Sequence, residues 1–308
     1  MEQVPLGDSG LTVSRVGLGC NNFGGRIDKN RSREVVDAAF EVGITFFDTA
    51  RMYGGGDSEA FLGEILEGRR DRAVLATKFG LAREDTGGLR RGSAEYMRRA
   101  LAESLARLRT DYIDLYYLHE PDPETPLVET LGAMQELVDE GVVCAIGCSN
   151  FSAEQLREAE EAARAGGRPH FSAVQNEYSL LERREEETTL PLCREYGIGF
   201  VPYFPLASGL LTGKYERDRP APEGTRLAGW GRSMRSSPGT GSRSSTRSRA
   251  PAPASSRLRS PTRRRAVTPG LRSQARAACG RARARTPPPV RGGSARTTSP
   301  RSRCFRGS

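Results

Sequence analysis

Short apolar runs of three to seven residues alternate along this chain with longer stretches in which apolar positions recur every three or four residues. The first pattern is that of buried strands, the second that of helices with one apolar face. Runs at 16–19, 45–47, 73–77, 112–118, 142–147, 173–175 and 198–202 predict seven strands. The run at 112–118 is apolar on both faces, as a covered parallel strand should be. Between the strands, residues 32–42 place Val35, Val36, Ala39 and Phe40 on one helical face, and Gly43 ends that helix. Ser58 reads as the cap of a helix through Leu62, Ile65 and Leu66, and Ser93 as the opening of one through Met97, Leu101, Leu105 and Leu108. Residues 125–139 turn Leu131, Met134, Leu137 and Val138 inward. Ser152 with Gln155 forms a capping-box pattern, and 184–196 reads as a helix in which Pro191 marks a kink or a late start. Residues 1–13, with Pro5, Gly7 and Gly10, read as a short hairpin covering one end of the fold.

Strand-then-helix units in unbroken series predict a parallel sheet with right-handed crossovers. Their spacing of roughly 25–35 residues suits an α/β protein of the (β/α)8 TIM-barrel type, which typically takes about 250 residues. An eighth strand and its helix do not follow. From about residue 231 the chain is Arg, Ser, Pro, Ala, Gly and Thr with almost no aliphatic or aromatic residues. Such a segment cannot bury enough apolar surface to offset its ordering entropy. The organisation expected is therefore an incomplete barrel over 1–230 and a low-complexity tail over 231–308, disordered in isolation. The restricted alphabet of that tail also matches a GC-rich coding sequence read in a shifted frame.

Charge sharpens this division. The formal net charge of +9 averages two unlike parts: residues 1–230 hold 27 Lys and Arg against 38 Asp and Glu, a balance of −11, whereas 231–308 hold 20 Arg and no acid. An arginine-only arm could meet nucleic acid or anionic lipid electrostatically, but Phe305 is its single aromatic, so stacking on bases is not expected and nucleic-acid binding is not favoured. The six cysteines, Cys20, Cys144, Cys148, Cys193, Cys279 and Cys304, include no C-x-x-C pair; Cys20, Cys144 and Cys148 lie in apolar runs and read as small buried residues. No apolar run approaches the ~18 residues of a membrane span, and the first residues lack a signal-peptide pattern. The expectation is a soluble, reduced, cytoplasmic protein with no membrane partner.

The candidate chemistry sits where the strands end. Asp48 closes an apolar run, Tyr53 follows five positions later beside Gly54, Gly55 and Gly56, Lys78 ends the third strand and His119 the fourth. Read singly, His119 is more readily a core or loop histidine and Lys78 a surface charge, and Tyr53 could be a simple loop anchor. Strand ends facing one mouth are where such a barrel keeps its chemistry, and together the four make a proton-donating site in which a phenol is the acid. No G-x-G-x-x-G follows a strand, so a Rossmann cofactor site is not supported, and no metal site is assigned.

Seven linked motifs carry a resemblance over about residues 1–230. They are Val16-Gly17-Leu18-Gly19, Phe47-Asp48-Thr49-Ala50 through Tyr53-Gly54, Thr77-Lys78, Leu118-His119, Gly147-Cys148-Ser149-Asn150-Phe151, Gln175-Asn176-Glu177-Tyr178 and Pro205-Leu206-Ala207-Ser208-Gly209-Leu210-Leu211-Thr212-Gly213-Lys214-Tyr215. In this order they resemble the aldo-keto reductase family. The resemblance implies a catalytic tetrad of Asp48, Tyr53, Lys78 and His119, in which Asp48 holds Lys78, the Lys78 ammonium lowers the pKa of the Tyr53 phenol, and His119 orients a substrate carbonyl. It implies NADPH as cofactor, a small-molecule aldehyde or ketone as substrate, and reduction to an alcohol by hydride transfer. By the same resemblance, Ser149, Asn150 and Gln175 would hold the nicotinamide carboxamide and Tyr203 would stack on its ring. Leu206, Ser208 and Leu211, with Lys214 and Arg226, would fold over the pyrophosphate. Two features depart from the pattern: Phe204 stands where a Ser is common, and the eighth strand, with the polar residues that grip the adenosine phosphate, is missing. A catalytically defective relative with an open barrel, and a regulatory or binding module using the basic arm, are therefore the alternatives to a working reductase.

Overall fold

The computed structural model describes residues 1–167, 170–216, 219–225, 227, 228, 277, 279 and 280. Arg226, Trp230 and the tail from 231 onward, apart from Ala277, Cys279 and Gly280, lie outside the described residues. The chain opens with an antiparallel hairpin, β1 (Gln3–Pro5) and β2 (Thr12–Ser14). Seven parallel strands then pair in chain order, each with its successor: β3 (Gly17–Gly19), β4 (Phe46–Asp48), β5 (Val74–Phe79), β6 (Ile113–Leu118), β7 (Val143–Ser149), β8 (Ala173–Glu177) and β9 (Gly199–Tyr203). Among the described residues six helices alternate with them: α1 (Lys29–Glu41), α2 (Asp57–Ile65), α3 (Ala94–Leu108), α4 (Leu127–Glu140), α5 (Ala153–Gly166) and α6 (Thr189–Tyr196). The seven strands form a nearly closed sheet wrapped by helices, an incomplete (β/α)8 barrel.

Successive residues of a strand point to opposite faces, and this alternation builds two cores. Phe47, Leu75, Phe79, Tyr116 and Ile146 pack outward against Met97, Leu101, Met134 and Leu156 of the helices. Phe46, Ala76, Leu115, Tyr117, Ala145 and Ala173 pack inward, with Leu6, Leu11 and Val13 of the hairpin in the same cluster, as a cap on one end requires. Asp48 and Lys78 stand two residues beyond Phe46 and Ala76, so they share the inner face. Gly147 makes room there: a Cβ at this position would lie 2.6 Å from the Tyr117 ring and 2.8 Å from the Ala173 carbonyl oxygen.

Every residue of β6 and β7 is buried, whereas β3 and β9 are only partly covered. Among the described strands each of these two has a neighbour on one side only. A cavity of about 1290 Å³ follows that seam, lined by Val16, Gly17 and Gly19 on one side and by all five residues of β9 on the other. A cavity confined to the barrel interior would meet every second residue of a strand. Contact with five in succession means that it wraps over the open edge of β9. The place expected for an eighth strand is thus open among the described residues.

Local details follow the chemistry of the caps. Ser93 and Ser152 cap α3 and α5 as expected, the latter with the full capping box to Gln155. α1 starts at Lys29 because the Asp28 side chain accepts the Arg31 N–H. α6 starts late, at Thr189, which puts Pro191 in the first turn, where no helical N–H is needed. Ser58 is not a cap. Left-handed Gly56 precedes α2, and the buried Ser58 hydroxyl pairs with the Thr49 hydroxyl at 2.8 Å and donates to the Cys20 carbonyl oxygen at 2.9 Å. Cys144 is not simply a small buried residue either: it is disulfide-bonded to Cys279, 135 positions away, and Cys279 is buried in the inner core. The fold alone brings these sulfurs together, so spacing gives no sign of it, and the fully reduced set expected is corrected for this pair. Cys20, Cys148 and Cys193 are free and buried. No helix among the described residues is long and apolar enough to cross a membrane.

Candidate active site

The ends of β4, β5 and β6 deliver three polar side chains to one mouth. Asp48 closes β4, Lys78 is the last residue but one of β5, and His119 follows β6 directly. Tyr53 begins a short 3-10 turn, Tyr53–Gly56, in the loop after β4. That loop can lie against the loop after β3 only because position 54 is glycine: its φ is 60°, and a Cβ would fall 2.5 Å from the Phe23 carbonyl oxygen. The Lys78 ammonium is fully buried; it donates to an Asp48 carboxylate oxygen and, at 2.8 Å, to the Thr49 carbonyl oxygen. Its nitrogen lies 5.2 Å from the centre of the Tyr53 ring. Tyr53 and His119 meet edge to face, with ring centres 6.1 Å apart. Asp48, Tyr53 and His119 all line the cavity.

A buried ammonium is tolerated only when paired. Burial works against the charge of Lys78, but Asp48 and then Tyr53 more than offset it and raise its pKa, so Lys78 stays protonated. For Tyr53 burial is the largest influence and raises the phenol pKa; Lys78 pulls the other way without reversing it. The expected lowering of this pKa is therefore not what the site has: desolvation of the phenolate outweighs the nearby ammonium. The phenol remains a protonated acid at neutral pH. His119 is pushed down to about 3, first by burial, then by the charges of Lys78 and Arg83. Its Nδ1 is buried with no hydrogen-bond partner among the described residues.

The signs give a prediction. A histidine whose folded pKa is depressed binds fewer protons than in the unfolded chain, so its contribution to stability is lost as pH falls from 6.5 toward about 3. Its neutral ring does not titrate where free imidazole does. Proton transfer at this mouth is expected to stay level between about pH 5 and 8 and to fall only when Tyr53 loses its proton, above the ordinary phenol value of about 10. A pH–rate profile of the activity proposed below checks this. An inflection near pH 6.5, absent in His119→Asn, would show that His119 does titrate.

Further hydrogen bonds run from β9 back to Asp48. The Tyr203 hydroxyl donates to Asn150 Oδ1 at 2.9 Å, and Asn150 Nδ2 donates to the Ser149 hydroxyl at 3.1 Å and to the His119 carbonyl oxygen at 3.0 Å. The Ser149 hydroxyl donates to the Gln175 carbonyl oxygen at 2.8 Å, and Gln175 Nε2 donates to Asp48 Oδ2 at 3.0 Å. Leu206, Ser208 and Lys214 line the cavity with Tyr203, whereas Leu211 does not, and Arg226 lies outside the described residues. Asn150, Phe204, Ala207 and Ser208 all have positive φ, between 47° and 61°. A left-handed conformation costs a residue with a β-carbon roughly 1–2 kcal/mol, less for asparagine, and these four gather at the mouth ends of β7 and β9. Gly209 brings the same loop so close to Lys214 that a Cβ would lie 3.2 Å from its ammonium nitrogen. Amides and hydroxyls that can pair with a carboxamide, beside a glycine-rich turn with a lysine, fit a nicotinamide and its phosphates.

Several participants carry no mark in the sequence. Arg51 Nη1 donates to Glu84 Oε2 at 3.0 Å and to the Tyr96 hydroxyl at 2.8 Å, and its other terminal nitrogen pairs with Glu103. The Tyr96 hydroxyl donates to Glu84, which also accepts from the Gly80 N–H at 3.2 Å. This cluster ties the Tyr53 loop to the loop after β5, across 33 residues of sequence. Cys20 lies under Asp48, whose carbonyl oxygen accepts its N–H at 2.8 Å; burial, then the Asp48 charge, raises its pKa, so it remains a thiol.

Residues 15–238 match the model of the aldo/keto reductase family, and the chain belongs to it. It is 41% identical over 220 residues to probable aldo-keto reductase 1 of Glycine max, covering 70% of this chain and 62% of that protein. It is likewise 41% identical over 220 residues to the aldo-keto reductase YhdN of Bacillus subtilis (strain 168), covering 65% of its length. To the uncharacterized oxidoreductase YqkF of the same bacterium it is 38% identical over 216 residues, covering 68% of that protein. The chain thus spans a little under two thirds of the first two of these relatives.

Proposed function

We propose that this chain reduces aldehyde or ketone carbonyls to alcohols with NADPH, and that Tyr53 gives the proton. The observation that carries the reading is the convergence of Asp48, Tyr53 and His119 on one cavity mouth, with the buried Lys78 ammonium paired to Asp48 behind them. The relatives' names as aldo-keto reductases agree with it. When bound, the reduced nicotinamide supplies the hydride; the protein's part is position and field. His119, neutral, hydrogen-bonds the carbonyl oxygen and turns it toward the Tyr53 hydroxyl. Tyr53 transfers its proton to that oxygen as the C–O double bond becomes single. The phenolate left behind sits beside the Lys78 ammonium, which Asp48 and the Thr49 carbonyl hold in place, and it regains a proton from water at the mouth. Ser149, Asn150 and Gln175 would hold the carboxamide, Tyr203 would border the ring, and Lys214 would pair with phosphate oxygens.

Titration of the full-length chain with NADPH, followed by nicotinamide fluorescence, tests the reading. A micromolar Kd is expected, and at a hundred times that concentration NADPH should stabilise the fold by about 2.7 kcal/mol, raising Tm by roughly 5–10 °C. No binding by a folded sample would sink the reductase reading and favour a non-catalytic relative, for which the open seam between β3 and β9 would be the cause.

A further inference from the structure

The charges around the mouth are unevenly satisfied. Asp48 and Glu120 are the two carboxylates that line the cavity, and both are engaged. Asp48 holds Lys78; Glu120 accepts the Ala82 N–H at 2.8 Å and lies 3.6 Å from Arg91. Two lining arginines differ. Arg83, on the loop after β5, and Arg26, on the loop after β3, are exposed and make no side-chain hydrogen bond or ion pair among the described residues. Their neighbours do not share this state: Arg90 pairs with Glu129 at 2.7 Å, Arg91 with Glu120 and Asp122, and Arg51 with Glu84 and Glu103. Arg83 is also close enough to His119 for its charge to weigh on that ring. It therefore stands at the end of the cavity where a carbonyl would react, while Lys214 stands in the loop after β9.

A guanidinium offers parallel N–H donors that match a carboxylate. We propose that the substrate is an anionic carbonyl compound, an aldehyde or ketone bearing a carboxylate that Arg83 holds, with Arg26 adding to the positive field of the mouth. This rests on the reductase reading for the carbonyl half and on the unpaired arginines for the anionic half. No bond is made or broken at the carboxylate; its role is to fix the orientation of the reacting end.

Two matched pairs of probes separate the halves. In turnover, para-carboxybenzaldehyde is compared with para-formylbenzamide, its neutral near-isostere; in binding, benzoate is compared with benzamide by calorimetry on the full-length chain, with and without NADPH. The charged member should be favoured about fivefold in kcat/KM and in Kd, the scale of one partly solvated charge pair. Arg83→Gln should bring both ratios to within about twofold of one, while Arg90→Gln, on the same loop but outside the cavity, should keep them. Equal use of the two aldehydes by wild type, or an unchanged ratio in Arg83→Gln, overturns the proposal and leaves the reductase reading standing. A weaker NADPH Kd in Arg83→Gln also overturns it, because the guanidinium would then serve the cofactor. Benzoate binding that Arg83→Gln abolishes, with neither aldehyde reduced, would uphold the anion site and reject the reductase.

Discussion

Tyr53→Phe is expected to lower kcat/KM for carbonyl reduction by about 10²–10⁴-fold, the range of a positioned general acid, while NADPH affinity changes less than twofold. The reasoning is one of exclusion as much as of placement. Cys20 is buried beneath the site with its thiol pKa raised, and Lys78 is fully buried, does not line the cavity and gives two of its three donors to Asp48 and Thr49. His119, held neutral with a pKa of about 3, is a poor acid at pH 7 because the proton it could give is already gone. Of these groups the Tyr53 phenol alone is both protonated and open to the cavity, and the Tyr203 phenol, which also lines it, gives its proton to Asn150 Oδ1. Phenylalanine keeps the ring, its edge contact with His119 and its packing against Lys78, so the loss should fall on kcat rather than on Kd or Tm. Initial rates at saturating NADPH, beside the fluorescence titration of both proteins, measure this. Residual activity above about a tenth of wild type would place the acid elsewhere, with water in the mouth the first candidate.

The division between what could and could not be read from the sequence follows the range of the interactions. Strand and helix positions rest on local periodicity, and all seven barrel strands lie within a few residues of their apolar runs. The pairing of Asp48 with Lys78 was implied by the family resemblance, and the register shows how it arises: both sit two residues past an inner-core position on adjacent strands. The Ser58 cap failed because a serine before an apolar run has two local uses, and the space beside Thr49 and Cys20 decided for the second. Lys78 does pull the Tyr53 pKa down as expected, but the sequence does not show how little water is near, and burial carries the net shift upward. Three of the four left-handed residues at the mouth, Phe204, Ala207 and Ser208, belong to types that normally avoid that conformation, so there propensity argues against the geometry the site uses. Arg226 lies outside the described residues, so its expected role remains a proposal.

The Arg51–Glu84 contact is the clearest case of a long-range interaction without a sequence signal, and it carries the second large expectation. Arg51→Met should destabilise the fold by about 3–5 kcal/mol, the cost of leaving one member of a buried ion pair alone. Glu84 is buried to 0% side-chain exposure and Arg51 to 13%, so water cannot take over the lost contacts. In a domain of this size such a loss lowers Tm by roughly 6–20 °C, which calorimetry or a thermal melt would register. The pair also acts on the site. Arg51 stands two residues before Tyr53, its backbone N–H donates to the Lys78 carbonyl oxygen at 3.3 Å, and Glu84 caps the start of the next loop through the Gly80 N–H. Freed from Glu84, the Tyr53 loop loses its tie to the loop that carries Arg83, so kcat should fall as well as Tm. The double variant Arg51→Met with Glu84→Gln removes both charges, keeps an acceptor for Tyr96, and should regain at least half of the lost stability. If the single variant loses less than about 1 kcal/mol, the pair behaves like an exposed surface bridge, and the two loops owe their position to packing alone.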